Sequence, residues 1–488
     1  MPKLRFKKQM DLQIKLHPKG LLVCSVTEAL ERLGFFAVQS ILILYLIQYL
    51  KLSDKQAYYL YTAISGLSYA SPVIGGILAD KILNFKKAVF LGLCLFVLGY
   101  FLLISHNTRL VFTAFALQIV GNGFVKGNIT SLLGRQYKDN DIRRDSGFTL
   151  FYLGMNVGQI LGPILSSVAL KYYGFSAAFV VCSISSLTSL LIFYLGKGSF
   201  QDDIKTSNKE SKAFSFLVFY ALLVVVTIVI GALLIYPVII NFSIAIISLL
   251  SLLYLVYMAI MAENKTDMKK LFVIMILFIF SALFWALFMQ TFTSLLLFAN
   301  RNVDLSFFGI LLPTPILISF QAVALVILAP FFSLLWLKLG NGKWQPSFGL
   351  KFSYGFLFLA LAYMTIVLAI HFFSVNSRIN VGWVLIAFAL LAVAELFLSA
   401  IGLSAISRLA PKKHLGMIMG FWFLTISAGF ELGNKLDVLA YVPHTITLAS
   451  KMLLIYKGAF FDFMIIAAVL FIASFLIVPT LKKMSLED

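Results

Sequence analysis

Charge is what this sequence has least of. Asp, Glu, Lys and Arg make up 12% of its 488 residues, and 61% are hydrophobic. Soluble domains carry roughly 25% charged and about 45–50% apolar residues, so a soluble globular class is excluded. Cysteine is scarce as well. Cys24, Cys94 and Cys182 lie in or beside apolar runs, an odd number at no metal spacing. That argues against a disulfide framework or a thiolate metal site and leaves them as small core residues. The five histidines, His17, His106, His371, His414 and His444, fall mostly in predicted loops or at span ends and form no ligand cluster. No nucleophile or His–acid pair stands at a membrane face, so a membrane-embedded enzyme is the weaker class and no cofactor or metal is expected. A cleavable signal peptide is also missing: "MPKLRFKKQMDLQIKLHPKG" is basic and polar, and no small-residue cleavage site follows a short apolar core.

What the chain does have is apolar runs of the length that spans a bilayer, about 20 residues of helix. They recur near 21–50, 57–80, 87–105, 110–134, 146–170 and 175–196, then near 214–236 and 238–262. Six more follow near 271–298, 308–337, 352–373, 380–408, 415–435 and 458–480. The expected fold is an all-α polytopic membrane protein with fourteen spans; period-2 alternation is too weak for a β-barrel. The pattern is six, two, six. Its domains are a bundle over 1–199, a linker with two inserted helices over 200–270, and a second bundle over 271–488. Two six-helix halves around a polar linker are the layout of many secondary transporters, with a site at mid-membrane. The inserted pair carries almost no ionisable residue and reads as lipid-facing, without transport chemistry.

The net charge of +19 suggests nucleic acid only until the spans are drawn. With the N-terminus inside, most Lys and Arg fall in inner segments, which places both termini in the cytoplasm and makes nucleic acid an unneeded partner.

The informative residues are the few ionisable ones within spans. "VTEALERLGFF" puts Glu28, Glu31 and Arg32 on one face of the first helix. A structural ion pair accounts for Arg32 with one Glu and leaves the other without a cation on its own helix. Each charge near mid-membrane costs about 2.5–3.5 kcal/mol on insertion scales. A buried carboxyl can escape that cost by taking up a proton, and a carboxyl that exists in both states is what proton coupling needs. "GNGFVKGNITSLLGR" places Lys126 in the fourth span, among glycines that permit close helix approach. An intramembrane lysine needs an anion, from the protein or from a substrate. Glu395, in "AELFLSAIGLS" on the tenth span of the two bundles, has no basic residue in the apolar interior of its own half, so its expected partner is Lys126 or a substrate amine. Glu431 and Lys435 read as an interfacial pair. In "GGILADKILNFKK", Asp80 with Lys81, Lys86 and Lys87 suggests a cytoplasmic charge network.

These residues, in this order, resemble the proton-coupled oligopeptide transporters (the POT, or PTR, family) of the major facilitator superfamily. "EALER" fits the family's E-x-x-E-R and "YASPVIGGILAD" its Y-x-x-P-x-x-G-G-x-x-A-D. "GNGFVKGNITSLLG", "RRDSGFTLFYLGMNVG", "FWALFMQ", "ELFLSAIGLS" and "MIMGFWFL" fit its later signatures. The resemblance implies a major facilitator fold and proton-coupled import of di- and tripeptides across the bacterial inner membrane, by a monomer. Glu28, Glu31, Arg32 and Glu395 would couple protons. Arg32 and Lys126 would receive the peptide carboxylate, and Glu395 and Asn156 would face the amine. Tyr69, Trp422, Gln321, Ser399, Phe36 and Gln39 would complete the site. The chain also departs from the family: Phe35, Phe36 and Ala37 follow Arg32 where two tyrosines and a glycine are usual. Gln39 stands for an arginine, Met289 for an acid, Thr62 for a histidine, and Gln321–Ala322 for Asn-Pro. With the arginine and the acid both missing, the outer gate is expected to close by packing. Another small solute (an amino acid, an anion or a drug) is the alternative cargo.

Overall fold

The computed structural model describes residues 17–105, 107–137, 141, 143–200, 210–262, 264–340, 347–411 and 414–485. The basic segment before residue 17 and the linker core 201–209 lie outside these. The first unit of structure, residues 1–38 and 71–235, holds the lower part of α1 (Lys19–Leu44) and the end of α2 (Asp54–Leu78). It also holds α3 (Phe85–Ile104), α4 (Thr108–Gly134), α5 (Arg144–Tyr173), α6 (Phe175–Gly196) and α7 (Glu210–Leu233). The second unit, residues 39–70 and 236–488, holds the hairpin made by the end of α1 and the start of α2. Its other long helices are α8 (Pro237–Ile260), α9 (Lys265–Phe288), α11 (Ile316–Gly340), α12 (Phe348–Phe373), α13 (Val381–Leu409), α14 (Leu415–Asp437) and α15 (Ala449–Ser485).

The expected helical membrane class holds. Twelve described helices are long and apolar enough to cross a membrane. Of the remaining two long helices, α7 is strongly apolar over Val218–Leu233, and α14 carries Glu431, Lys435 and Asp437 in its last turns. Most ends match the sequence reading within a few residues; the last helix starts nine residues before the expected 458, at Ala449, and the span expected over 308–337 also differs. The helix expected from residue 308 begins at Ile316. Before it, α9 gives way to a tight turn at Met289–Phe292 and the short α10 (Ser294–Asn302). Strands β1 (Val303–Asp304), β2 (Ser306–Phe307) and β3 (Ile310–Leu311) follow. Phe308 and Gly309 both have positive φ, 49° and 79°, which turns β2 back onto β3. Pro313 and Pro315 then keep Leu312 and Thr314 out of helical geometry. An apolar run hid this turn because apolarity alone does not tell a strand from a helix. β1 pairs in parallel with β4 (Ile379–Asn380), tying the α10 exit to the α12–α13 loop.

In the first unit α3 packs on α4 and α6, α5 on α6, and α7 on α4. Gly75 of α2 lies against the Gly123 carbonyl of α4, where even a methyl group would collide, so the two backbones meet directly. In the second unit α12 packs on α13 and α15, α11 on α13, and α9 on α14. The inserted pair is not simply lipid-facing. α8 packs on α9 and α14, and its Asn241 is buried and donates to the Tyr59 carbonyl of the hairpin at 3.1 Å. An amide in an apolar helix finds a partner because an unsatisfied one is costly in hydrocarbon.

Candidate functional site

The first helix carries the ionisable cluster, and three neighbours hold it in place. Gly158 of α5 sits against α1 at Ala29 and Arg32, so closely that any side chain there would strike the Ala29 carbonyl. From α6, Ser185 donates to the Leu30 carbonyl at 2.5 Å and Ser189 to the Thr27 carbonyl at 2.8 Å. From α4, Asn122 accepts from the Arg32 guanidinium at 3.1 Å. Interhelical hydrogen bonds in membranes contribute about 0.6 kcal/mol on average. Three of them with a glycine contact fix the rotation and height of α1 rather than contribute much stability.

Within that frame, Glu28, Glu31 and Arg32 are all buried, at 1%, 0% and 2% exposure. Arg32 Nε contacts Glu31 Oε2 at 2.5 Å and Glu28 Oε1 at 3.2 Å. One guanidinium therefore serves both carboxyls, including the one that sequence spacing left without a cation. Each carboxyl keeps a second buried oxygen, Glu28 Oε2 and Glu31 Oε1, with no hydrogen-bond partner. The Phe35 ring lies under the guanidinium carbon at 4.9 Å. It holds the cation through its face where a tyrosine hydroxyl would have added a polar atom. Phe36 packs edge-on against Phe35 at 5.5 Å. Lys126, one turn beyond Asn122 on α4, is partly exposed and interacts electrostatically with Glu28, Glu31 and Arg32. Asn156 of α5 is buried and donates to the Tyr152 carbonyl at 2.8 Å. The first unit thus gathers two acids and two bases, with two carboxyl oxygens unsatisfied.

The second unit places Glu395 of α13 beside Gln321 of α11, whose amide donates to Glu395 Oε2 at 3.4 Å. Among the described residues of this unit no basic side chain pairs with Glu395. Gln321 Oε1 is buried without a partner. Trp422 of α14 is buried, with Phe278 and Phe352 edge-on to it at 5.7 and 6.5 Å. Tyr69 stacks at a tilt on Phe430, 5.6 Å between rings. Gln39 accepts from Tyr61 at 2.7 Å and Ser65 at 3.2 Å, all within the hairpin. The side chain of Ser399 lies outside the described residues.

Within the second unit the hairpin is held by an ion pair that sequence spacing does not show: Arg301 of α10 grips Asp54 with both terminal nitrogens, at 2.6 and 2.7 Å, and donates to the Tyr456 hydroxyl of α15 at 2.8 Å. Asp54 and Arg301 flank the runs taken as spans, so each read as an ordinary span end. Asp80 is exposed and makes no ion pair among the described residues. In its loop Asn84, at φ 75°, accepts from the Lys87 backbone N–H and caps α3 instead. Asn122 was also missed, though it stands one turn before Lys126 in "GNGFVKGN".

A many-helix bundle with paired acids and bases buried inside its membrane-spanning helices defines a secondary transporter. Residues 86–452 match the POT family, and the chain belongs to that family. It is 29% identical over 472 residues to the dipeptide and tripeptide permease B of Salmonella typhimurium, covering 96% of each chain. It is 27% identical to the dipeptide and tripeptide permease A of Chromobacterium violaceum, covering 96% of this chain and 95% of the other. A crystal structure of a peptide transporter POT in complex with sulfate superposes with a TM-score of 0.83, at 27% identity and 96% coverage of both chains. The fold is therefore the major facilitator fold of that family.

Proposed function

We propose that the chain is a proton-driven symporter of di- and tripeptides, working by alternating access. Membership of the POT family and the likeness to dipeptide and tripeptide permeases support the cargo. The observation that carries the proton coupling is the shared guanidinium: Glu28 and Glu31 divide Arg32 between them, and each keeps a dry oxygen. Two carboxylates on one arginine make an arrangement that a single proton reorders. Protonating either Glu gives a dry oxygen its hydrogen and loosens the hold on Arg32. A peptide carboxylate can then compete for Arg32 and for Lys126. Glu395, without a basic partner among the described residues of its own unit, is suited to a peptide amine, and Asn156 and Gln321 offer amides for the peptide backbone.

Release follows from the pH difference. The cytoplasmic side takes the proton back, the Glu recovers Arg32, and the peptide carboxylate loses its partner. One charge crossing about 150 mV supplies roughly 3.5 kcal/mol, which supports about 300-fold accumulation of a neutral peptide. One proton per peptide is enough. The reading includes a monomer in a bacterial inner membrane, both termini cytoplasmic, with two six-helix bundles flanking the inserted pair. Phe35 and Phe36 favour peptides with fewer polar groups, and the same phenylalanines would suit another small solute. Uptake of labelled dipeptides, amino acids and anions into proteoliposomes under an imposed pH gradient tests the reading. Accumulation of a dipeptide above its outside concentration is expected, and accumulation of another class alone would replace the cargo.

A further inference from the structure

The second unit buries another acid that the mechanism above does not use. Asp437, the last residue of α14, is 2% exposed. Thr293 and Ser294, at the start of α10, lie beside it, and its Oδ1 has no hydrogen-bond partner. No Lys, Arg or His pairs with it among the described residues. Three tyrosines from two other elements interact with it electrostatically: Tyr58 and Tyr61 of the hairpin and Tyr363 of α12. The Asp54–Arg301 pair, which acts on Tyr58, is already satisfied within itself. On α14, Asn434 is 1% exposed with neither amide atom bonded, and the partly satisfied Glu431 lies a turn further back, paired with Lys435 at 3.2 Å. The Tyr58 hydroxyl is likewise unbonded.

Two readings of Asp437 compete. As an ionised group beside the α10 N-terminus it would gain only the modest stabilisation of a helix end. Burying a carboxylate with no cation costs several kcal/mol even after relaxation. The cost is the larger, and the row Glu431, Asn434, Asp437 at three-residue spacing presents unsatisfied polar atoms along one helix face. We propose that Asp437 is a second proton-carrying group, which holds a proton on Oδ1 while the hairpin packs over it and gives it up to water when the hairpin leaves. This rests on the symporter reading. The proton comes from bulk water and returns to it, so the carboxyl cycles between acid and carboxylate with nothing else consumed.

The test uses the full chain in proteoliposomes, as wild type, D437N and D437E. Infrared difference spectra on a pH step read the C=O stretch of a protonated carboxyl directly. Dipeptide uptake against outside pH reads coupling. Glu28 and Glu31 contribute to this band as well, so D437N is expected to lose one C=O component of the wild-type band and to keep the rest. D437N should also lose about tenfold in accumulation for each pH unit imposed, the contribution of one coupled proton, and D437E should restore it. No change in the band, or a lost component with an unaltered pH profile of uptake, would overturn the proposal; stability of wild type that rises with sodium in place of that component would do the same. Wild type that takes up no dipeptide would defeat the symporter reading instead, and the band would still decide whether Asp437 holds a proton.

Discussion

The two units bury acids in opposite ways. In the first, Glu28 and Glu31 crowd onto one arginine with Lys126 close by, so charge is nearly balanced and the position of one proton decides which contacts form. In the second, Glu395 has an amide for company and Asp437 keeps a buried oxygen unbonded, with no cation paired to either among the described residues of that unit. The lesson is about division of labour. A balanced cluster is a switch, because every member has two alternative partners. An acid without a cation is a socket, waiting for a proton or for an ammonium group. The Asp54–Arg301 pair is neither: it is closed on itself in bidentate geometry and serves to hold the hairpin.

This contrast can be broken most severely at Arg32. Arg32→Gln leaves two buried carboxyls with no guanidinium, and removing one partner of a buried ion pair costs about 3–5 kcal/mol. Uptake should vanish and the melting temperature in detergent should fall. Wild-type uptake would mean that the acids are not governed by this cation. Next comes Lys126→Ala. Loss of a charge-assisted contact of about 1.5–3 kcal/mol should weaken dipeptide binding about tenfold or more, measured by ligand-induced thermal shift. Unchanged affinity would move the carboxylate site elsewhere. Asp54→Asn should lower thermal stability by about 1–3 kcal/mol, and a double-mutant cycle with Arg301→Gln should show that the two losses do not add. Additive losses would show the pair to be uncoupled.

The smallest effect belongs to the one shifted acid in a loop between spans. Hydrogen bonds from the Arg143 side chain and backbone hold the Asp141 carboxyl down at about 2. A depressed carboxyl contributes stability that is present above its unfolded value and lost as pH falls through about 2. Asp141→Asn removes that contribution at neutral pH, but solvent screening of the loop pair keeps the loss in thermal stability small. A clear drop would show that the α4–α5 loop is more constrained than the spans it joins.

Much of this was legible before any coordinates. The long helices could be placed because about 20 apolar residues in a row have one stable solution in lipid. Glu28, Glu31, Arg32 and Lys126 were found because charge inside an apolar run is conspicuous. That contrast fades for uncharged residues and at helix ends. Asn122 is uncharged, and Asp54, Arg301 and Asp437 sit at helix ends, where charge is ordinary. Asn241 lies in a helix judged on composition alone, yet its single amide docks that helix on the hairpin. The break at Met289–Phe292 and the β2–β3 turn fall inside apolar runs, where Gly309, Pro313 and Pro315 are the punctuation near the turn. Which oxygen of each glutamate faces Arg32 is a matter of rotamers and was beyond any reading of spacing.

The central claim is that one proton on the Glu28–Glu31 pair releases Arg32 to the substrate. It is tested most directly by dipeptide accumulation in proteoliposomes under an imposed pH gradient, wild type against Glu31→Gln. The account predicts that wild type concentrates the peptide while the variant never exceeds the outside concentration. Equal, gradient-dependent accumulation by both proteins would contradict it.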